Sequence, residues 1–350
     1  MPKLPVDDLE HILVHTRDLW TELDNQRIFI TGGTGFFGCW LLESLVFAID
    51  RLNLNTQAIV LTRDIATFQR KSPHLAKHPG ITLYQGDVRN FVFPDGEFSH
   101  VIHAATAASA SLNSTDPLLM IDTIVAGTRH TLEFAKQKGM KKFLLTSSGA
   151  IYGKQPPEIF HISEDYVGAP DPLNPTNAYG EAKRLAELLC AIASHNSELE
   201  TKIARCFAFV GPHLPLDTHF AIGNFIRDGI QGSPIHIRGD GTPYRSYLYA
   251  ADLTIWLWTI LFKGKSCQPY NVGSDIAITI GELGKLITEV IGSELDVIID
   301  QQPIPGKAAE QYIPSIQTAL LDLQLQVYID LPTGIKKTAD WCCNLPIPSK

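Results

Sequence analysis

The feature that most constrains the fold is an apolar segment, residues 27–31, that runs directly into a glycine-rich turn. Gly32, Gly35 and Gly38 form the pattern G-x-x-G-x-x-G, and a helix is predicted to begin at Phe36. In a dinucleotide site, Gly32 permits the sharp turn, Gly35 lets backbone N–H groups approach a pyrophosphate, and Gly38 lets the helix lie close to the strand. The helix N-terminus adds free N–H donors and a positive dipole end. The pattern therefore predicts a nucleotide cofactor; the alternative is a glycine-rich turn without a ligand.

Further apolar strands alternate with helical patterns along the chain. This alternation predicts an α/β fold, a Rossmann-type doubly wound parallel sheet. Beyond Gly211 the sequence becomes richer in Pro, Gly and His, which indicates a smaller C-terminal substrate-binding lobe. The predicted strands are 58–62, 81–87, 99–105, 142–148, 202–209 and 270–274, with helices at about 118–138 and 177–195. The predicted division is an N-terminal helical extension (1–25), a dinucleotide-binding domain (26–210 plus 247–274) and the lobe (211–246 plus 275–350).

Composition narrows the partners and the compartment. A net charge of −8 argues against nucleic acid as the main partner. The six cysteines form no C-x-x-C pair, so we interpret them as reduced thiols of a cytoplasmic protein, and we expect no metal. No basic and apolar leader opens the chain, and the apolar run 255–262 is too short to span a bilayer. We therefore expect no membrane association, and a buried helix over that run.

The end of the second predicted strand bears on the choice of cofactor. A cofactor with a free ribose 2′-OH usually meets a carboxylate at this place. The chain instead has Thr62 and Arg63, with Asp64 one position later. Because an arginine suits a 2′-phosphate, the sequence favours NADP over NAD.

Two further strand ends complete the predicted cofactor site. Asp87, after strand three, either accepts a hydrogen bond from the adenine amino group or caps the following turn. Small residues after strand four let a nicotinamide ribose lie close, whereas His103 is interpreted as a packed strand residue. The predicted cofactor contacts are Gly32, Gly35, Phe36, Phe37, Gly38, Arg63, Asp87, Val88, Ala104, Ala105, Thr106, Tyr179 and Lys183.

The most specific constellation joins Ser148, at the end of strand five, to Tyr179 and Lys183. The last two residues are four apart and share one helix face. An ammonium lowers the pKa of a nearby phenol, so Tyr179 would become a usable acid and base near neutral pH. Ser148 can hold a substrate hydroxyl or carbonyl against Tyr179, and Lys183 can bond the nicotinamide ribose. A surface Tyr/Lys pair is the alternative, but the preceding serine strand and glycine turn favour catalysis.

Together these motifs resemble the short-chain dehydrogenase/reductase superfamily, specifically its extended branch of NAD(P)-dependent nucleotide-sugar epimerases and dehydratases. The resemblance implies a bound nicotinamide cofactor, a nucleoside-diphosphate sugar in the small lobe, and a homodimer packed through two helices per subunit. It places Ser148, Tyr179 and Lys183 in the catalytic positions. It also implies that Asn224 and Arg245 contact the substrate diphosphate. The matching segments, in family order, are 31–38, 86–87, 147–148, 179–183, 205–212, 245–252 and 271–273.

Departures from the family pattern bear on the reaction. Gly149 and Ala150 stand where related 4,6-dehydratases carry an acidic pair, and decarboxylating relatives use a glutamate in this loop. Relatives that epimerise next to a ketone use a cysteine where Ala150 stands. The tail residues Gln311 and Tyr312 replace a region that often supplies a basic residue for the diphosphate. Ile124 stands where many relatives carry an asparagine.

These features predict a nucleotide-sugar 4-epimerase that acts by transient hydride transfer at sugar C4. The main alternative is an NADPH-dependent 4-ketoreductase of an NDP-4-keto-6-deoxysugar, which Arg63 favours. Further alternatives are a 4,6-dehydratase-like enzyme with an acid or base from another loop, such as His161, Glu164 or His213, and a reductase of non-sugar carbonyls. A cofactor-binding relative that has lost catalysis is the non-enzymatic alternative.

Overall fold

A seven-stranded parallel sheet forms the centre of the protein. The computed structural model describes residues 2–106, 113, 115–217, 220–292 and 295–344, so the predicted domain limits at residues 1 and 350 lie outside the described part. The sheet has the order β11-β6-β5-β4-β1-β2-β3, and all its neighbouring strands are parallel. The strands are β1 Arg27–Thr31, β2 Gln57–Thr62, β3 Ile81–Gln85, β4 His100–His103, β5 Lys142–Ser148, β6 Glu200–Cys206, β7 Phe209–Val210, β8 Ile235–Ile237, β9 Tyr244–Arg245, β10 Leu248–Tyr249, β11 Pro269–Val272, β12 Ile278–Thr279, β13 Val297–Ile299 and β14 Gln311–Tyr312. The Rossmann-type α/β prediction is confirmed.

Helices cover both faces of this sheet, which explains why its strands are apolar without alternation. Ile28 and Ile30 belong to one buried cluster, and Phe29 between them belongs to the other, so successive β1 side chains enter the two cores. In the described part of the chain, α-helices run over Val6–Thr16, Phe36–Leu52, Ile65–Lys71, Pro73–Ala76, Pro117–Gln137, Ala178–His195, Ala221–Ile230, Ala250–Lys263, Ile280–Ile291, Gln317–Leu323 and Leu331–Cys343, with 3-10 helices at Arg17–Leu23, Gly149–Tyr152 and Pro175–Asn177.

The helix Ala250–Lys263 contains the apolar run noted in the sequence. Its residues from Ala250 to Phe262 are all buried, so the prediction of a buried helix is confirmed. Trp256 and Trp258 are fully buried in it. Within the described residues, the structure has no helix with the length and apolar character needed to cross a bilayer.

The N-terminal extension packs on that buried helix. The sequence predicts one amphipathic helix over 7–24, whereas the structure has an α-helix to Thr16 followed by a 3-10 helix to Leu23. Asp8 accepts a hydrogen bond from the Tyr249 hydroxyl at 2.7 Å, and the His11 imidazole lies 3.2 Å from the Asp252 carboxylate. The N-terminal segment is therefore packed on the body of the fold.

The sixth strand is shorter than predicted. It ends at Cys206 rather than at residue 209: the Phe207 N–H makes a last hydrogen bond to the Val272 carbonyl of β11, and β7 then pairs with β10 instead of with the large sheet. This change directs the chain away from the sheet edge and into the smaller lobe.

Short strands organise the smaller lobe. β8 pairs with β13, and β9 pairs with β12 on one side and β14 on the other. The register of the last pair places Tyr312 directly beside Arg245. The tail is also bound to the loop after β5, because the Ile313 N–H donates to Gln155 Oε1 and the Ile162 N–H donates to the Ile313 carbonyl, both at 2.9 Å. The tail therefore reaches the carboxyl edge of the large sheet.

Candidate active site

The glycine turn has the geometry of a close backbone approach. Gly32 has φ +73°, and a Cβ there would lie 2.4 Å from the carbonyl carbon and oxygen of Ala104. A Cβ on Gly38 would lie 2.3 Å from the Gly32 oxygen. By contrast, a Cβ on Gly35 would meet only the Gly32 oxygen, at 3.5 Å. Gly32 and Gly38 are therefore required by the fold itself, whereas Gly35 leaves space at the start of the helix Phe36–Leu52.

Gly33 is a further constrained glycine of this turn, which the spacing of the motif did not indicate. A Cβ on Gly33 would lie 2.6 Å from Val60 Cγ1, so the neighbouring strand β2 fixes this residue. The two residues that open the helix, Phe36 and Phe37, are partly buried, and the second packs edge-on against Phe209 with ring centroids 5.2 Å apart. Only the tertiary contact with Val60 marks Gly33, which is why spacing alone could not.

The ends of β2 and β3 bring charged residues together. Arg63 is exposed, while the Asp64 carboxylate caps the next helix by accepting from the Thr67 N–H at 2.9 Å and from its hydroxyl at 2.5 Å. Asp87 accepts from the backbone N–H and the guanidinium of Arg89, with three contacts of 2.9 Å. Hydrogen bonding from Arg89 holds the pKa of Asp87 below its ordinary value, with a smaller contribution from Arg63. Asp87 thus caps its turn, and Arg63 is the exposed cation at this corner.

The end of β4 forms the middle of the predicted cofactor cleft. His103 is buried between Thr31, 2.8 Å away, and Thr128, 3.1 Å away. Burial lowers its pKa to about 3, with the Lys183 charge adding to the effect. His103 is therefore a neutral packed residue, as interpreted from the sequence. The Ala105 N–H donates to the Thr31 hydroxyl at 3.2 Å, which fixes the backbone of this strand end.

Thr106 follows with a buried side-chain oxygen. Ala104, Ala105 and Thr106 are partly buried, and Val88 is buried. Among the described residues, Thr106 Oγ1 has no hydrogen-bond partner. A buried hydroxyl without a partner is costly, and a ligand's polar group would satisfy it. This oxygen, the space at Gly35 and the helix N-terminus fit a dinucleotide.

The predicted catalytic residues meet at the end of β5. Ser148 is the last residue of that strand and is 6% exposed, and its Oγ accepts from the Ala150 N–H at 3.1 Å. Tyr179 and Lys183 lie in the first turns of the helix Ala178–His195. The Ser148 hydroxyl interacts with the Tyr179 phenol. Lys183 is 3% exposed and its Nζ donates to the Thr146 carbonyl at 2.7 Å.

The electrostatics of Tyr179 differ from the sequence argument. Burial raises its pKa to about 12, and the Ser148 hydrogen bond opposes this rise. Lys183 does not offset this rise: its Nζ donates to the Thr146 carbonyl at 2.7 Å and lies over the Tyr179 ring, 5.8 Å from the ring centroid. Burial lowers the pKa of Lys183 to about 8. In the protein alone, Tyr179 is therefore a neutral phenol, and the prediction of a pKa lowered by Lys183 is wrong.

Asn113 is a residue of this site that the sequence argument missed. Its Oδ1 accepts from the Tyr179 N–H at 3.1 Å, and its Nδ2 donates to the Thr176 carbonyl at 2.6 Å. The helix of Tyr179 has no side-chain cap from its own N-cap residue, Asn177, so Asn113 satisfies one of its free donors. Ile124, which stands where many relatives carry an asparagine, is buried in the core. Asn113 thereby fixes the backbone that carries the phenol.

Comparison with known proteins establishes the family. The family described as "NAD dependent epimerase/dehydratase family" matches residues 28–273. This chain belongs to that family. The chain is also similar to UDP-glucuronic acid decarboxylase 1 of Xenopus tropicalis, to which it is 29% identical over 321 residues, covering 91% of this chain and 72% of that protein. UDP-glucuronic acid decarboxylase 6 of Arabidopsis thaliana is 29% identical over 331 residues, with coverages of 93% and 92%.

Solved structures agree with this fold. The UDP-glucose 4-epimerase of Thermotoga maritima, solved with UDP-glucose, superposes with a TM-score of 0.75 at 24% identity, covering 91% of this chain and 98% of that one. A mutant UDP-glucuronic acid 4-epimerase of Bacillus cereus, solved with UDP-4-deoxy-4-fluoro-glucuronic acid and NAD, gives 0.76 at 23% identity, with coverages of 90% and 98%. These structures show the shared fold, and the family match shows that the chain is an enzyme of the extended short-chain dehydrogenase/reductase type. The family and these relatives support NAD-dependent modification of a nucleotide sugar as its general activity.

The predicted diphosphate contacts of this family member lie on two elements of the lobe. Arg245 lies on β9, where its guanidinium donates to the Tyr244 carbonyl at 2.8 Å and lies 3.9 Å from the Glu310 carboxylate. Asn224 lies on the helix Ala221–Ile230, and its Oδ1 accepts from Arg227 at 3.4 Å. Both side chains are partly buried. Their contact with a diphosphate stays a prediction.

A second tyrosine that the sequence argument did not place in the site stands beside Ser148. The Ser148 hydroxyl also interacts with the phenol of Tyr312, whose pKa burial raises. A Cβ on Gly149 would lie 2.7 Å from the Tyr312 oxygen. No local spacing links the tail to the β5 loop, so only the folded chain shows that this residue belongs to the site.

Two glycine substitutions separate cofactor binding from folding. We expect Gly35→Ala to keep the fold but weaken NAD and NADP binding about tenfold or more, because its methyl group occupies the space into which a pyrophosphate must come. We expect Gly38→Ala to lower the free energy of unfolding by about 1–3 kcal/mol, because its Cβ overlaps the Gly32 carbonyl. Urea unfolding and dinucleotide titration by fluorescence measure both effects.

Gly239→Ala is the matched control, because a Cβ there would meet no atom within 4 Å and its φ is not positive. It should leave both measurements unchanged. Wild-type dinucleotide affinity in the folded Gly35→Ala protein would contradict the assignment of this turn to the cofactor.

Proposed function

We propose that this enzyme is a nucleotide-sugar 4-epimerase, acting by transient hydride transfer at sugar C4. The observation that carries the proposal is the placement of Tyr179 beside Ser148 at the carboxyl end of β5, with Lys183 on the same helix face. Ser148 orients the sugar O4. Tyr179 accepts the O4 proton in oxidation and returns it in reduction, so it is the single proton relay.

Oxidation of the sugar, the first step, depends on the protonation state of Tyr179. A phenol with a pKa of about 12 is a proton donor at neutral pH, and oxidation of the sugar needs the phenolate. A bound oxidised nicotinamide supplies a hydride acceptor, and its positive charge favours the phenolate. Lys183, which donates to the Thr146 carbonyl, holds its ammonium at the base of the same cleft. In the reverse step the neutral phenol protonates a 4-keto oxygen.

The geometry disfavours an elimination. Of the three residues considered as substitutes for an acidic pair, the Glu164 carboxylate accepts from the Asn271 N–H and the Thr318 hydroxyl, both at 2.8 Å. The His161 imidazole is exposed and lies 2.9 Å from the Asp275 carbonyl. Burial lowers the pKa of His213 to about 4, and its ring packs on Trp341. Each of these side chains is therefore engaged by other parts of the protein, which disfavours it as a second acid or base for elimination.

A second candidate is oxidative decarboxylation of UDP-glucuronic acid, which the curated relatives favour by their names. It shares the first hydride transfer at C4 with the epimerase, and the two differ in whether the C5 carboxylate is then lost as CO₂. Incubation with UDP-glucuronic acid and mass analysis of the product distinguishes them. A product of unchanged mass is expected for the epimerase, and a product lighter by one CO₂ would favour the decarboxylase.

The phenol of Tyr179 is the direct test of the proposed mechanism. We expect Tyr179→Phe to lower kcat by about 10²–10⁴-fold, because no other group replaces the lost proton relay. Dinucleotide affinity should change by less than about threefold. The assay follows epimer formation from UDP-glucose, UDP-glucuronic acid, UDP-N-acetylglucosamine and dTDP-glucose.

The control for this variant is Tyr328→Phe, since Tyr328 packs against His15 of the N-terminal helix. It should keep full activity. Undiminished turnover in Tyr179→Phe would rule out the proton relay described here.

For the cofactor, we propose a preference for NADP over NAD. Arg63 is exposed at the end of β2, and the nearby Asp64 carboxylate is engaged as a helix cap, which leaves the cation to meet a 2′-phosphate. We expect Arg63→Ala to weaken NADP binding about ten- to a hundredfold and NAD binding little. Arg70→Ala, an exposed arginine on the next helix, is the matched control. Clearly tighter binding of NAD than of NADP by the wild-type enzyme would contradict this preference.

The homodimer stays a prediction. Exposed apolar side chains support it: on the helix Ala178–His195 they form a stripe at helical spacing, and the helix Pro117–Gln137 adds one more. They are Leu118, Leu185, Leu188 and Ile192.

A further inference from the structure

Gly149 directly follows Ser148 in the sequence and has no side chain. A Cβ on Gly149 would lie 2.7 Å from the Tyr312 oxygen, 2.7 Å from Phe207 Cζ and 2.8 Å from Phe207 Cε1. Real Cβ atoms do not approach neighbours this closely, since interiors are packed to contact. The space that a longer side chain at this position would need is therefore occupied by two aromatic rings.

Several contacts fix Tyr312 in that space. Its ring packs against Phe207 with centroids 4.7 Å apart and planes inclined by 37°. Its backbone pairs with Arg245 in the β9–β14 register. The next residue, Ile313, is held by Gln155 and Ile162 of the loop that follows β5. Tyr312 is thus positioned from both sides by the same elements that form the site.

The phenol oxygen of Tyr312 completes a group of three hydroxyls. Hydrogen bonding from Ser148 acts to lower the pKa of both Tyr179 and Tyr312, and the Tyr312 oxygen lies 2.7 Å from the Cβ position of Gly149, the residue after Ser148. Burial raises the pKa of Tyr312, the neighbouring Tyr179 adds to this rise, and Ser148 and Arg245 oppose it. A neutral phenol both donates and accepts hydrogen bonds, so it can orient a hydroxyl but is a weak acid.

We propose that Tyr312 is a positioning and specificity-determining residue, which orients the Ser148 hydroxyl toward the sugar O4 and occupies the place that an acidic side chain from position 149 would need. The inference rests on the proposed hydride transfer at C4. In this account the Tyr312 ring fills the space beside Gly149 that a side chain would otherwise fill. Tyr179 is then the single proton relay of the site. Elimination of water, which requires a second acid and base, has no group at this position.

The test is the single variant Tyr312→Phe, which keeps the ring and removes the hydroxyl. With the same four sugar nucleotides as probes, kcat should fall about tenfold while KM and dinucleotide affinity stay within about twofold. A purely structural role would not separate kcat from KM in a protein with an unchanged melting temperature. Tyr328→Phe is again the matched control.

A second measurement tests the steric part without any substrate. Gly149→Ala should lower the melting temperature in the wild-type background, and lower it less in the Tyr312→Ala background, because one of the two clashing groups is then absent. The Phe207 ring remains, so recovery should be partial. An equal loss in both backgrounds would overturn the claim that Tyr312 occupies this space.

The outcomes distinguish this inference from the function on which it rests. If the wild-type enzyme turns over a probe and Tyr312→Phe has a tenfold lower kcat, both the proposed function and the role of Tyr312 are supported. If the wild-type enzyme turns over a probe and Tyr312→Phe has the same kcat and KM, the role of Tyr312 is overturned and the proposed function stands. Wild-type protein that moves no hydride with any probe overturns the proposed function and this inference with it.

Discussion

The buried hydrogen bond from Lys183 to the Thr146 carbonyl, 2.7 Å long, is the interaction on which the arrangement of the site depends. It fastens the first turns of the helix Ala178–His195 to the carboxyl end of β5. A buried ammonium is costly without such a partner, and here burial already lowers its pKa to about 8. Because the helix is held at this point, Tyr179 lies beside Ser148, and Asn113 then fixes the backbone of the phenol.

A second, partly buried network supports the same strand end from behind. Arg205 on β6 makes three hydrogen bonds to the Glu187 carboxylate, the shortest of 2.8 Å, and Glu187 also accepts from the Ser147 hydroxyl at 2.5 Å. The same guanidinium donates to the Tyr152 hydroxyl, which donates in turn to Asn271 on β11. Removing one partner from a buried pair leaves an uncompensated charge, so this network holds its geometry firmly. It links β5, β6 and β11 just below the catalytic residues, which gives Ser148 a rigid base.

The parts of this enzyme that could be predicted from its sequence are those that local spacing encodes. The alternation of apolar strands and helices predicted the parallel sheet, and the four-residue separation of Tyr179 and Lys183 predicted their shared helix face. Position after a strand predicted that Ser148 would lie at the sheet edge. These relations need only the periodicities of helix and strand, which act within a few residues of one another.

The remaining features arise from contacts between distant segments. Tyr312 enters the site because β14 pairs with β9, and Gly33 is fixed by the side chain of Val60 on the adjacent strand. The pKa of Tyr179 was misjudged for the same reason: its rise comes from burial by the whole fold, which helix spacing does not show. Asp64 stands one position after the place where a carboxylate would meet a ribose, and only the folded chain shows that it caps the next helix.

The central claim is that hydrogen leaves and returns at sugar C4 as hydride, within one active site. UDP-glucose and UDP-glucuronic acid labelled with deuterium at C4 test it directly, with product analysed by mass spectrometry and NMR. The account predicts that deuterium stays at C4 of the recovered product and that no solvent hydrogen enters there. Replacement of the C4 label by solvent hydrogen during turnover would contradict it.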